Sequence, residues 1–382
     1  MKARMEPQMK PQMKPKMNTN TRKLHDMGQR IWLDNITREM LNNGTLARYI
    51  AELSVTGLTS NPTIFEHAIG SGGLYDGAIQ KLAAKGLPCE DIFFELALQD
   101  LTQAADLFRP IFDASDGSDG WVPPEVSPLL ANDSAGTIQA AARLHERAAR
   151  PNLFIKIPGT PEGIPAIEQS IFDGVPINVT LLFSQEHCAA AAQAYLRGID
   201  RRIKAGLDPR VESVASLFVS RWDVMVKEDV QPQLHNRLGL AIAMRTYKAH
   251  CDLLTSERWQ RLAAAGSRPQ RLLWASTGTK DPAAPDTLYV EALAAAQTID
   301  TIPEKTLLAF ADHGKVGATL PADGGYAQAV LDEFKREGVD DEALAARLQR
   351  EGVETFAKSW SALMARIQEK SSPPAAAAVA AA

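Results

Sequence analysis

Eight short strand-like segments separated by helical patterns constrain this chain's fold more than any other feature. They fall near 30–35, 54–59, 121–127, 152–158, 176–183, 212–219, 271–277 and 298–302. Helical stretches lie between most of them, such as 134–149 and 184–205. Pro161-Glu162-Gly163 opens a short helix carrying Ala166, Ile167 and Ser170. Strand–helix alternation over this length predicts an α/β fold with a parallel sheet. Eight units favour a closed (β/α)8 TIM barrel with additional helices over an open sheet. The long gaps, 60–120 and 222–270, are expected to be helical insertions, with candidate helices over 92–108 and 238–254. No composition shift divides the body, so 23–370 is expected to be one domain of the 382-residue chain.

The two ends differ from that body. Residues 1–24 carry seven basic residues against Glu6 and repeat Pro-Gln-Met-Lys, which predicts a disordered basic tail over 1–22. Residues 371–382, Pro-Pro followed by an alanine-rich run, are expected to be a flexible tail. A net charge of -5 argues against a general nucleic-acid or membrane-surface binder. No apolar run approaches the roughly 20 residues that span a bilayer. Cys89, Cys188 and Cys251 are scattered and form no CxxC pair, which fits a reducing compartment and gives no zinc or disulfide framework. A cytoplasmic enzyme is expected; the sequence sets no oligomeric state.

Within the fourth segment, Leu153-Phe154-Ile155-Lys156-Ile157-Pro158-Gly159-Thr160, one lysine interrupts an apolar run. The run reads as a strand buried on both faces and ended by Pro and Gly. Lysine is almost never fully buried unless paired. Burial disfavours the ammonium, and the neutral amine is the form that attacks a carbonyl to make a Schiff base. Lys156 is therefore a candidate nucleophile. The alternative is a lysine that snorkels from an exposed strand end or merely pairs with a carboxylate.

Side chains two apart share a strand face, and in a barrel one face points to the centre. A single register brings Asp34, Glu125, Lys156, Asn178, Thr180 and Ser216 inward, with Arg221 just past its strand. Polar groups gathered at one depth are costly unless mutually bonded, and in a barrel they mark the catalytic end. Taken singly, each has a plainer explanation. Asp34 could cap a turn, Glu125 could be an exposed loop carboxylate among prolines, and Asn178 and Thr180 could satisfy backbone groups. Leu58-Thr59-Ser60-Asn61-Pro62 is at minimum a turn into a helix, and Arg221 could belong to a surface ion pair. Their conjunction favours a site.

Several of these motifs together resemble transaldolase. The resemblance is carried by Ile31-Trp32-Leu33-Asp34-Asn35, Gly57-Leu58-Thr59-Ser60-Asn61-Pro62-Thr63, Phe154-Ile155-Lys156-Ile157-Pro158-Gly159-Thr160 and Ile177-Asn178-Val179-Thr180-Leu181-Leu182-Phe183. Leu273-Trp274-Ala275-Ser276-Thr277-Gly278-Thr279-Lys280-Asp281-Pro282 is similar to the longer bacterial form. The match covers about 23–370, in order. It implies a (β/α)8 Schiff-base enzyme without metal or organic cofactor. Such an enzyme moves a dihydroxyacetone unit from sedoheptulose 7-phosphate to glyceraldehyde 3-phosphate, giving erythrose 4-phosphate and fructose 6-phosphate.

By the same resemblance Lys156 is the Schiff-base lysine, Asp34 the acid–base group, and Glu125 with Thr180 the holders of a proton-shuttling water. Asn61, with Thr59 beside it, and Asn178 would bind the dihydroxyacetone fragment; Ser216 and Arg221 match the residues after the sixth strand. One departure stands out. Shorter transaldolases have Ser-Phe-Arg after the seventh strand, where this chain has Ser276-Thr277-Gly278 and then Lys280. We expect Lys280 to supply the missing charge for the substrate phosphate, with Ser276 and Arg221 completing that end. As a rival nucleophile Lys280 is disfavoured, because its Gly- and Thr-rich loop leaves it solvated. Three other readings stay open: a fructose 6-phosphate aldolase that releases free dihydroxyacetone, a metal-dependent aldolase, and a non-catalytic barrel that binds sugar phosphates. The metal reading needs clustered ligands, whereas His25, His67, His145, His187, His235, His250 and His313 are dispersed.

Overall fold

In the computed structural model, which describes residues 17–372, seven parallel strands form one sheet. They are β1 (Arg30–Asp34), β2 (Val55–Thr59), β3 (Ile155–Pro158), β4 (Ile177–Leu182), β5 (Ser213–Phe218), β6 (Arg271–Ala275) and β7 (Ile299–Ile302). Their order is β2-β1-β7-β6-β5-β4-β3, with helices packed around them.

The expected strand over 121–127 is present in position but not as a regular strand. Val122 and Glu125 make isolated parallel bridges to Leu153 and Lys156. Phe154 N–H donates to Val122 O at 3.1 Å, and Lys156 N–H donates to Pro124 O at 2.8 Å. On the other side Leu58 N–H donates to Trp121 O at 3.2 Å. The segment therefore joins β2 to β3 and closes the ring as an α/β (β/α)8 barrel. The ladder is broken because Pro123 and Pro124 carry no N–H to donate.

Below the polar layer the barrel is filled by aromatic side chains. Trp32 and Phe154, two residues before Asp34 and Lys156, are fully buried with ring centroids 6.2 Å apart. Trp121 stacks on Phe154 at 4.1 Å. Gly57 admits this packing: a Cβ there would lie 2.6 Å from Trp32 Nε1 and 2.8 Å from Trp121 O. Such a plug makes the barrel a packed core rather than a pore, and leaves polar chemistry to the strands' C-terminal ends.

Helix starts follow the local sequence. Asn61 is an N-cap whose side chain accepts from Ile64 N–H at 3.0 Å, and Pro62 occupies the first helical turn of Pro62–Gly70. Ser184 caps Gln185–Lys204 in the same manner. The expected helix over 92–108 runs longer, as Cys89–Ala114, and that over 238–254 is Leu238–Thr255. Two differences lie at the ends. Thr19–Asp26 is a helix capped by Asn18, with Thr21 and Leu24 buried, so residues 19–22 pack on the body rather than belonging to a tail. Near the other end, Asp341–Ser371 is one helix with Phe356, Trp360, Leu363 and Ile367 buried. The tail expectations for 1–16 and 373–382 lie outside the described residues. Among the described residues no helix is long and apolar enough to cross a membrane.

Candidate active site at the barrel mouth

The register aligns three polar residues across neighbouring chains. Glu125 bridges Lys156, and Lys156 is the partner of Asn178 on β4. Asp34 on β1 sits beside Thr59 on β2. All these side chains belong to the strands' C-terminal ends or the turns just beyond them. A cavity of ≈ 590 Å³, counting its open side, is lined there by Asp34, Thr59, Asn61, Lys156, Thr180, Ser216, Arg221, Ser276 and Lys280. Glu125 and Asn178 are not on the cavity wall; they flank Lys156 in the sheet.

Lys156 is 5% exposed. Its Nζ donates to Ser60 O at 3.1 Å and lies 3.2 Å from Glu125 Oε2. The lysine is thus both buried and paired, combining two features that the sequence presented as alternatives. Burial pushes the Glu125 carboxyl above its ordinary value, and the Lys156 charge works against that rise. Neither Glu125 oxygen has a well-aligned hydrogen-bond donor among the described residues, and Thr180 Oγ1 and Asn178 Nδ2 are likewise buried without a partner. Buried polar groups are otherwise almost always satisfied. A cluster of them around one amine is an arrangement able to hold a water or substrate hydroxyl.

Asp34 is held by a hydroxyl chain. Thr59 Oγ1 donates to Asp34 Oδ1 at 2.8 Å and lies 2.5 Å from Thr301 Oγ1. Since Thr59 gives its only proton to Asp34, Thr301 must donate to Thr59. Burial raises the Asp34 carboxyl, while the Thr59 bond and the Lys156 and Lys280 charges oppose the rise. Asn178 Oδ1 accepts from Ser216 Oγ at 2.7 Å, which fixes the amide with its N–H side free.

Two cations face the same cavity without an acid partner among the described residues. Arg221, in the first turn of Ser220–Val226, stacks its guanidinium 5.3 Å from the Phe218 ring centroid, and Lys280 is exposed on the loop after β6. Ser276, at φ 57 in the left-handed region, turns that loop. Its carbonyl accepts from Ser220 N–H, and the two serine hydroxyls are 3.0 Å apart, tying the loop to the Arg221 helix.

Three contributors were not foreseen from the sequence. Thr301 and Phe356 line the cavity, the latter with its ring centroid 5.7 Å from Lys156 Nζ. Asp300, fully buried on β7, accepts from Thr277 Oγ1 at 2.8 Å, and burial and the Asp34 charge raise its carboxyl to about 7. Strand parity of 298–302 would have exposed Thr301; Phe356 and Asp300 depend on tertiary placement. Among the described residues no group of three or more His, Cys, Asp or Glu is arranged to hold a metal ion.

Comparison with known proteins adds a second line of evidence. The family model Transaldolase/Fructose-6-phosphate aldolase matches residues 31–367. The chain is 43% identical to "Transaldolase" of Thermobifida fusca over 357 residues, covering 91% of this chain and 97% of that protein. It is 42% identical to "Transaldolase" of Saccharopolyspora erythraea (92% and 98% covered). A further "Transaldolase", of Thiobacillus denitrificans, matches at 42% (91% and 99% covered).

Proposed function

The chain belongs to the transaldolase/fructose-6-phosphate aldolase family, and from that premise we propose that it is a transaldolase acting through a Schiff base on Lys156. It transfers a dihydroxyacetone unit from sedoheptulose 7-phosphate to glyceraldehyde 3-phosphate, a step of the non-oxidative pentose phosphate pathway. The observation that carries the reading is the buried amine of Lys156, 3.2 Å from an equally buried carboxylate at the mouth of the barrel.

The steps follow from the geometry. Glu125, whose carboxyl is raised by burial, takes a proton from Lys156 and leaves the neutral amine that attacks the ketose carbonyl. Loss of water gives the iminium. When the C3–C4 bond breaks, its electron pair flows to the iminium nitrogen and Asp34 accepts the C4 hydroxyl proton. A carboxyl raised by burial and held by Thr59 suits that role. The aldose leaves and the three-carbon enamine remains on Lys156. Its carbon then attacks the acceptor aldehyde, Asp34 returns the proton, and water held by Glu125 and Thr180 hydrolyses the product iminium. Asn61, Thr59 and Asn178 bind hydroxyls of the fragment, Asn178 through its free N–H side. Ser216 supports Asn178. Arg221, Ser276 and Lys280 bind the phosphate, Lys280 as a point charge rather than a planar fork.

The reading takes 23–370, with residues 19–22 packed on it, as one working unit, sugar phosphates as its partners and the cytoplasm as its place, where free cysteines such as Cys89, Cys188 and Cys251 stay reduced. An assay of glyceraldehyde 3-phosphate consumption with sedoheptulose 7-phosphate tests it. Acceptor-dependent turnover is the expected result. Release of free dihydroxyacetone at the same rate without acceptor would make the protein an aldolase instead.

A further inference from the structure

We propose that Phe356 governs how the three-carbon intermediate on Lys156 divides between transfer to an aldehyde and loss to water. The proposal rests on the Schiff-base reading of Lys156 and goes beyond it, because it assigns a determinant of reaction outcome to a helix outside the eight barrel units.

The helix Asp341–Ser371 crosses the barrel mouth on one stripe, at spacings of three and four residues. Gln349 Nε2 donates to Gly159 O at 3.0 Å and to Leu181 O at 2.9 Å, both at the ends of the strands bearing Lys156 and Thr180. Gly352 follows, where a Cβ would lie 3.0 Å from the Leu181 side chain, so the helix backbone is drawn close to β4. On the far side Ser359 Oγ lies 2.8 Å from Thr63 Oγ1, beside the turn bearing Asn61, and Trp360 packs edge-on against Phe93 at 5.0 Å. Phe356 lies between these anchors. It is 4% exposed, its ring lines the cavity, and its centroid is 5.7 Å from Lys156 Nζ, within cation–π range.

That placement has one chemical consequence: the ring occupies space from which water would otherwise approach the nitrogen and C2. Hydrolysis of the intermediate takes two steps: a proton adds to the enamine carbon to restore the iminium, then water adds to C2 and expels the Lys156 amine as dihydroxyacetone leaves. Transfer needs no water until the new carbon–carbon bond has formed. A ring anchored at both ends over the amine therefore slows loss without obstructing the open side, where the acceptor enters.

The test uses full-length Phe356→Ala and Phe356→Leu with fructose 6-phosphate as donor, measuring free dihydroxyacetone released per aldehyde converted. The Ala variant is expected to raise that ratio about tenfold, and Leu, which restores only part of the lost bulk, about threefold. The amount of borohydride-trapped intermediate should fall in the same order. A merely structural role would lower transfer and release together and leave the ratio unchanged. If Phe356→Ala does not fold, Phe356→Leu decides. A ratio within about twofold of the parent in the folded variants would overturn the proposal, with parent trapping and transfer intact. Absence of any trapped intermediate in the parent would instead overturn the Schiff-base reading, and this proposal with it.

Discussion

Replacing Asp300 by Asn should make the protein more stable at neutral pH and leave little difference in acid. Asp300 is fully buried, and its carboxyl is raised from 3.8 to about 7 by loss of solvent and by the charge of Asp34. Its one described donor is Thr277 Oγ1, which lies 2.8 Å from Asp300 Oδ1 and 3.2 Å from Thr301 O. One hydroxyl proton cannot serve two acceptors. The conflict disappears when Asp300 is protonated: it donates to Thr277, and Thr277 donates to Thr301 O. Below about pH 4 both folded and unfolded chains carry the Asp300 proton, so its favourable contribution is fully present. As pH rises the unfolded chain releases the proton first, and stability falls until the folded carboxyl also ionises near 7. A gap of about three pH units corresponds to about 4 kcal/mol. Asn cannot ionise, so the stability difference between Asp300→Asn and the parent should widen by that order from pH 4 to pH 7 and then level off. Urea unfolding of both proteins across pH 4–8 measures it, because groups that do not interact with Asp300 cancel in the difference, leaving Asp300 and the Asp34 charge coupled to it. A difference independent of pH would refute the reasoning.

Other consequences concern the chemistry. Glu125→Gln removes the proton acceptor beside the amine, and single-turnover imine formation should slow about 10²-fold or more. A rate within about twofold of the parent would exclude Glu125 as that acceptor. Lys280→Met should raise KM for phosphorylated donors about tenfold, the loss of one charge-assisted contact, with little change in kcat. Unphosphorylated fructose should be handled equally by both proteins; an unchanged KM for fructose 6-phosphate would take Lys280 out of the phosphate site.

Much of this site was readable because it follows strand parity and capping chemistry. A lysine inside an apolar run, an aspartate at the end of another, and Asn61 before Pro62 each carry a local signature, and the register brings them to one end of the barrel. The third strand was legible as a position and Glu125 as an inward candidate, but its two prolines, which mark a break in pairing, also left Glu125 open to being read as a loop residue. Thr19–Asp26 was obscured by the basic repeat before it, although Asn18 is a capping residue. Phe356 was out of reach for a different reason. The stripe of Gln349, Gly352, Phe356 and Trp360 has helical spacing, yet nothing local says that this helix lies across the mouth rather than along the wall. Asp300 reads as half of an ordinary polar–apolar alternation. Only its burial beside Thr277 reveals a carboxyl that is stable protonated.

Reduction with borohydride in the presence of fructose 6-phosphate, followed by peptide mapping, tests the central claim most directly. A three-carbon adduct on Lys156 alone, lost in Lys156→Arg, is the expected result. An adduct on Lys280, or transfer at full rate with no lysine labelled, would contradict it.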